Sequence, residues 1–187
     1  MRVVGGRLGG RRLRAVPGRD TRPTSDRVRE ALFGVLGERV EGARVLDLFA
    51  GTGALGIEAV SRGASSAVLV EQAAQAVAVI RANLDALDLN DTVRVRRTRA
   101  ETFLRTQRDG PFDLVLLDPP YAAGVGLVAG LLGRLARTAL APGAVVVVEA
   151  AARAEAPPWP PGLHPDPPRR YGDTALHLAT FDPVPLA

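Results

Sequence analysis

The chain has 187 residues, enough for one domain with a sizeable core, and its 47% hydrophobic and 24% charged residues exclude a disordered polymer. It contains no cysteine and only two histidines, His164 and His177, so disulfides, thiolate nucleophiles and Cys-ligated metals are excluded, and no metal is expected. No apolar run approaches the roughly 20 residues that span a bilayer, and the first residues lack the apolar stretch of a signal peptide, so the expected location is cytoplasmic, with no membrane partner.

The net charge of +4 is unevenly placed. All 24 basic residues are arginine, and nine of them (Arg2, Arg7, Arg11, Arg12, Arg14, Arg19, Arg22, Arg27 and Arg29) fall within the first 29 residues against only Asp20 and Asp26. In "RVVGG" and "RRLRAV" apolar and basic residues alternate around glycine pairs, which predicts a small curled β-hairpin over residues 1–20. Guanidinium groups on such a hairpin match phosphate oxygens with forked donors, and a polyanion is the implied partner. A single larger domain then covers 21–187.

"TRPTSDRVREALFGVLG" has the marks of a helix start: Pro23 restricts its predecessor, Thr24 or Ser25 can cap, and Asp26 complements the dipole. Val28, Ala31, Leu32, Val35 and Leu36 define one apolar face and leave Arg27, Arg29 and Glu30 off it. From Arg44 onward strands and helices alternate, which predicts a mostly parallel sheet covered on both faces, an α/β architecture. "ARVLDLFA" is the first strand, followed by a glycine loop and a helix to about Arg62. "SAVLVE" ends at Glu71, and the next helix carries Val77, Ile80, Leu84 and Leu87 on its apolar side. "TVRVRR" and "FDLVLLD" follow, then a helix over about Leu127 to Leu140 and the strand "AVVVVEA". Seven prolines within residues 157–168 predict a surface loop, and "DTALHLATF" closes the sheet, hairpinned to "RRY" through Gly172 and Asp173.

The glycine loop "DLFAGTGALG" places Gly51, Gly53 and Gly56 between a strand and a helix, where glycines permit close ligand approach and the helix N-terminus offers positive charge. Glu71, twenty residues beyond Gly51, can hold ribose hydroxyls, as a dinucleotide site also requires. Asp47 distinguishes the two cases. A carboxylate there repels a pyrophosphate and attracts an ammonium, which suits S-adenosylmethionine (SAM), a nucleoside with an amino-acid tail.

"DPPY", Asp118 to Tyr121, ends the fourth strand on the same sheet edge. An Asp118 oxygen and the Pro119 carbonyl can accept from a planar exocyclic amine, two prolines stiffen the turn, and Tyr121 can stack on the base.

"RVVGG", "RPTSDRVREALF", "DLFAGTGALGIEAVSRGA", "DPPY" and "RRYGDT", in this order over almost the whole chain, resemble the RsmD family of 16S rRNA guanine-N2 methyltransferases. The resemblance implies a Rossmann-like class I SAM-dependent methyltransferase fold with a seven-stranded, mostly parallel sheet and an N-terminal β-hairpin extension. It implies methylation of guanine 966 in 16S rRNA of the assembled small ribosomal subunit, by a protein expected to be monomeric. It also assigns cofactor contacts to Asp47, Phe49, Ala50, Gly51, Gly53, Glu71 and Gln72, catalysis to Asp118, Pro119, Pro120 and Tyr121, and RNA contacts to Arg7, Arg11, Arg12, Arg14, Arg22, Thr24, Arg27 and Arg29. One departure concerns the adenine amine: Arg99 stands where the family commonly has an acid, leaving the backbone near Ala100 or the side chain of Glu101 for that contact. Rival readings of the same residues are an adenine-N6 or protein-glutamine methyltransferase, a nicotinamide-dependent oxidoreductase and a non-catalytic RNA-binding module.

Overall fold

The computed structural model describes residues 1–17, 25–120 and 124–183. Five parallel strands form the centre of the sheet: β1 (Arg44–Leu48), β2 (Ser66–Glu71), β3 (Val93–Arg97), β4 (Phe112–Leu117) and β5 (Leu140–Ala151). Three further strands, β6 (Leu163–Pro165), β7 (Arg169–Tyr171) and β8 (Thr174–Phe181), join antiparallel. The spatial order is β3-β2-β1-β4-β5-β8-β6, with β7 also paired to β8. The helices are α1 (Asp26–Leu36), α2 (Ala54–Ser61), α3 (Ala74–Leu87), α4 (Ala100–Thr106) and α5 (Val125–Thr138).

Side-chain alternation along the buried strands sorts the helices onto two faces. Val45, Leu69, Leu114 and Leu116 point to one face, where Leu32, Leu36, Ile57, Ile80 and Leu84 of α1, α2 and α3 cover them. Leu46, Leu48, Val68, Val70, Val115 and Leu117 point to the other, beneath Phe103 of α4 and Leu131, Leu132 and Leu135 of α5. Each fully buried Leu or Val here contributes roughly 1.5–3 kcal/mol by leaving water, so burial rather than strand propensity decides the register.

Three sequence expectations are corrected. The sheet has eight strands, not seven, because the proline-rich segment contains β6, which lies at the sheet edge, where a proline costs no ladder bond on its open side. The buried stripe of α1 is Val28, Arg29, Leu32, Phe33 and Leu36, rotated from the expected face, with Ala31 and Val35 only half-buried. The N-terminal segment is a closed loop rather than a regular hairpin. A single bridge joins Arg2 and Arg12, while Val3 N–H donates to the Arg11 carbonyl and Leu13 N–H to that of Met1. A 3-10 turn over Gly6–Leu8 interrupts the ladder. Val3, Leu8 and Leu13 belong to the same core cluster as α1, α2 and α3.

Candidate active site

The ends of the parallel strands define one edge. Leu48 of β1 lies beside Val70 of β2 on one side and Leu117 of β4 on the other. The residues that leave these ends are therefore neighbours: the glycine loop in the middle, Glu71 to one side, Asp118 to the other.

The loop turns sharply. Phe49, Gly51 and Gly53 have φ of 67°, 57° and 80°, in the left-handed region, which is strained for the phenylalanine and free for the glycines. Gly53 is also the N-cap of α2 and has no side chain to satisfy the first helical N–H groups. Asp47 fills this role from β1: its Oδ2 accepts the N–H of Gly56 at 2.9 Å. A Cβ at Gly56 would sit 2.2 Å from Leu69 Cδ2 and 3.3 Å from Asp47 Oδ2, so the third glycine of the pattern serves the approach of α2 to the sheet.

Asp47 is only 1% exposed, and its Oδ1 has no hydrogen-bond partner among the described residues. Burial raises its pKa to about 7, assisted by the nearby Glu71 charge and opposed by the Gly56 N–H. Asp47 thus lies beneath the loop, holding it in place through Oδ2.

Glu71 is buried, and its two oxygens are aimed by backbone donors, Oε2 by Gly51 N–H at 3.0 Å and Oε1 by Ala73 N–H at 2.8 Å. A carboxylate has about four lone-pair sites, so each oxygen retains capacity for a ribose hydroxyl. Ala50 is buried, Gln72 exposed, and a side chain at Gly51 would meet only the Phe49 carbonyl oxygen, at 4.0 Å. Ala100 is buried at the start of α4, and half-buried Glu101 faces the exposed Arg99 at 3.9 Å. Asp118 and Pro119 are half-buried, Pro120 is exposed, and Tyr121 lies outside the described residues. This edge thus fits a nucleoside with a charged tail: a glycine turn at a helix N-terminus, a fixed acid for a diol, and further acceptors on the adjoining strand. Among the described residues no group of three or more His, Asp or Glu side chains could hold a metal ion.

The basic segment is locked to the helices behind this edge. The fully buried Glu58 of α2 accepts N–H groups of Val4 at 2.7 Å and Gly5 at 2.8 Å, and binds Arg62 Nε at 2.7 Å. Ser61 Oγ accepts Leu8 N–H at 2.9 Å and donates to the Gly5 carbonyl at 2.5 Å. Asn83 of α3, 2% exposed, accepts Arg14 N–H at 2.7 Å and donates to the carbonyls of Arg14 and, in the glycine loop, Thr52 at 3.1 Å. Arg7, Arg11, Arg12 and Arg14 remain exposed, although Arg11 donates to the Ala86 carbonyl.

Arg27 is also exposed, and Arg22 and Thr24 lie outside the described residues. Arg29 is a correction. It is fully buried, donating to the Arg2 carbonyl at 2.7 Å and to Asp26 at 2.6 Å, so it ties α1 to the N-terminal segment and presents nothing to a phosphate. Glu58, Ser61 and Asn83 were not singled out in the sequence. The available signal was polarity in the wrong place: Glu58 interrupts the apolar run "ALGIEAV", and Asn83 follows Ile80 by three positions on the buried stripe of α3.

Five parallel strands flanked by helices on both faces, an antiparallel closing strand and a glycine loop at the C-terminal edge define a class I, Rossmann-like methyltransferase fold. The solved structure of yhhF from Escherichia coli superposes with a TM-score of 0.88 at 34% identity, covering 98% of this chain and 99% of that one. An RNA methyltransferase from Salinibacter ruber, in complex with S-adenosyl-L-homocysteine, shares the fold at a TM-score of 0.65 and 20% identity, with 86% of this chain and 94% of that one covered. Residues 1–180 match the family described as Conserved hypothetical protein 95, and the chain belongs to this family, the RsmD family its motifs resemble. Ribosomal RNA small subunit methyltransferase D of Escherichia coli K12 is 40% identical over 125 residues, 67% of this chain and 62% of that protein. The match thus spans a little under two thirds of that relative's length.

Proposed function

We propose that the chain transfers a methyl group from SAM to the exocyclic N2 of a guanine in 16S rRNA, position 966 of the assembled small subunit. The observation that carries this reading is the junction of Leu48 with Leu117, which puts the glycine loop and Asp118 side by side on the ligand edge. The name of the Escherichia coli relative supports an rRNA substrate, and the bound nucleoside in the Salinibacter ruber structure supports the cofactor.

Gly51, Gly53 and the N-terminus of α2 would hold the amino-acid portion of SAM, Glu71 its ribose, and the backbone at Ala100 or the Glu101 side chain its adenine. When bound, SAM supplies a methyl group made electrophilic by the sulfonium. The chain's own contribution falls on the amine, a weak nucleophile because its lone pair is delocalised into the base. Asp118 and the Pro119 carbonyl accept its two N–H groups, which turns the lone pair out of the base plane and stabilises the positive charge that grows on nitrogen; the surplus proton would pass to the Asp118 carboxylate, and S-adenosylhomocysteine would be the leaving group. Pro119 and Pro120 keep these acceptors fixed, so much of the acceleration is positional. Tyr121 stacks on the guanine once it has left its neighbours. Arg7, Arg11, Arg12, Arg14 and Arg27 dock phosphates and set register, not base identity.

The test is transfer of labelled methyl from SAM to small subunits lacking the modification, with naked 16S rRNA in parallel and the product nucleoside identified after digestion. N2-methylguanosine formed on subunits is the expected product. Its absence, with SAM binding intact, would redirect the reading to an adenine or protein-amide substrate.

A further inference from the structure

A second basic cluster lies away from both the N-terminal segment and the glycine loop. Residues 94–109 hold six arginines (Arg94, Arg96, Arg97, Arg99, Arg105 and Arg108) against two carboxylates, Glu101 and Asp109, a net +4 that equals the charge of the whole chain. All six are exposed. Arg94, Arg96 and Arg97 sit on β3, which ends the strand order and among the described residues pairs only with β2; Arg99 precedes α4, Arg105 lies on it and Arg108 follows it.

Internal pairing leaves much of this charge uncompensated. Arg94 and Arg96 share one partner, Asp109, at 3.7 and 3.1 Å, and Arg99 meets Glu101 at 3.9 Å. Arg97, Arg105 and Arg108 form no ion pair among the described residues. Between the strand and the end of α4 runs an open groove of about 360 Å³, whose lining comprises Arg97 and Arg108, the Arg96–Asp109 ion pair, the neutral Thr98, Thr106 and Gln107, and Phe103. Arg97 and Arg108, which form no ion pair among the described residues, and three neutral donors along an open channel make a surface for an extended chain of phosphates, since each of these guanidiniums can grip two oxygens, while Arg96 is held by the Asp109 carboxylate.

The position fixes its relation to the active edge. Arg97 is in register with Glu71, and Thr98 N–H donates to the Glu71 carbonyl at 3.1 Å, so one end of the groove opens one strand from the residue assigned to ribose. The groove lies against α4, on the sheet face opposite the N-terminal segment, which packs with α1, α2 and α3. Basic surfaces thus flank the edge from both faces.

We propose that the Arg96–Arg97–Arg108 groove is a second RNA-docking surface, binding the phosphate backbone of the rRNA on the β3 side of the active edge. The inference rests on the proposed rRNA substrate. Arginines on an exposed edge strand can also act only to prevent pairing with another sheet, and the two roles give different results.

The experiment uses the full chain and the double variant Arg97→Gln/Arg108→Gln, with small subunits lacking the modification as probe. Affinity is measured from 50 to 200 mM salt, with SAM affinity measured separately by calorimetry. The expected result is weaker binding by the variant and a slope of log K against log salt reduced by about 2, with unchanged SAM affinity. An unchanged slope, or a variant that self-associates while binding subunits as the parent does, would overturn the proposal and assign the arginines to edge protection. A parent chain that methylates subunits beside an unaffected variant refutes this surface alone. A parent chain that binds neither subunits nor naked 16S rRNA refutes both this surface and the substrate reading.

Discussion

Asp47 and Gly56 are joined by a 2.9 Å hydrogen bond in which a strand residue caps the first turn of the helix nine positions later. This bond fixes the angle between β1 and α2, and with it the shape of the glycine loop between them. Because the Asp47 pKa in the fold is about 7 against 3.8 for a solvated aspartate, the folded state holds a proton that the unfolded chain releases. Stability from this group is therefore full below pH 4 and is lost as pH rises through 7. Asp47→Asn keeps an acceptor for Gly56 and removes the titration. Chemical denaturation at pH 5 and pH 8 should show the parent losing more stability than the variant, by roughly 2–4 kcal/mol. Parallel losses in both would contradict the assignment.

Glu58 is the anchor of the N-terminal segment. Removing its carboxylate by Glu58→Ala strands the N–H groups of Val4 and Gly5 and the Arg62 guanidinium, at a cost of about 3–5 kcal/mol. Limited trypsin digestion should then cleave after Arg7 or Arg11 well before the core. Glu58→Gln retains both oxygen and shape and is expected to fall between the two. Equal protection of residues 1–17 in the parent and Glu58→Ala would show that apolar packing of Val3, Leu8 and Leu13 holds the segment without it.

Asn83 touches both Thr52 of the glycine loop and Arg14 of the basic segment, and so links the two regions assigned to cofactor and RNA. Asn83→Asp can still accept from Arg14 N–H but donates to neither carbonyl, and it buries a charge. SAM affinity should drop about 5- to 50-fold, consistent with roughly 1–2 kcal/mol for a lost hydrogen bond and its unsatisfied partner. A variant of normal stability and normal SAM affinity would exclude a positioning role for Asn83.

Much of this organisation was legible in the sequence. The strand–loop–helix order, the end of β2 at Glu71, the buried positions Val77, Ile80, Leu84 and Leu87 on α3 and the β7–β8 hairpin all follow from periodicity and turn residues, because those signals are local. What escaped was tertiary. Arg29 reads as an RNA-facing arginine off the apolar stripe until the carbonyl of Arg2 and the carboxylate of Asp26 close over its guanidinium. The burial of Asp47, 1% exposed, follows only from the packing of α2 on it through Gly56. Glu58 and Asn83 gain meaning only from backbone groups 54 and 69 residues distant. The arginines of β3 are visible in sequence, but their convergence with Gln107 and Arg108 requires the turn of α4 back along the edge strand.

The most direct test of the central claim, that one sheet edge holds the cofactor and offers Asp118 to the amine, is the parallel measurement of SAM affinity and methyl transfer in Asp118→Ala. The account predicts SAM affinity within about twofold of the parent and loss of transfer to unmodified small subunits by at least about 100-fold. If affinity and transfer fall together, Asp118 belongs to the cofactor site. If transfer persists, the acceptors of the amine lie elsewhere.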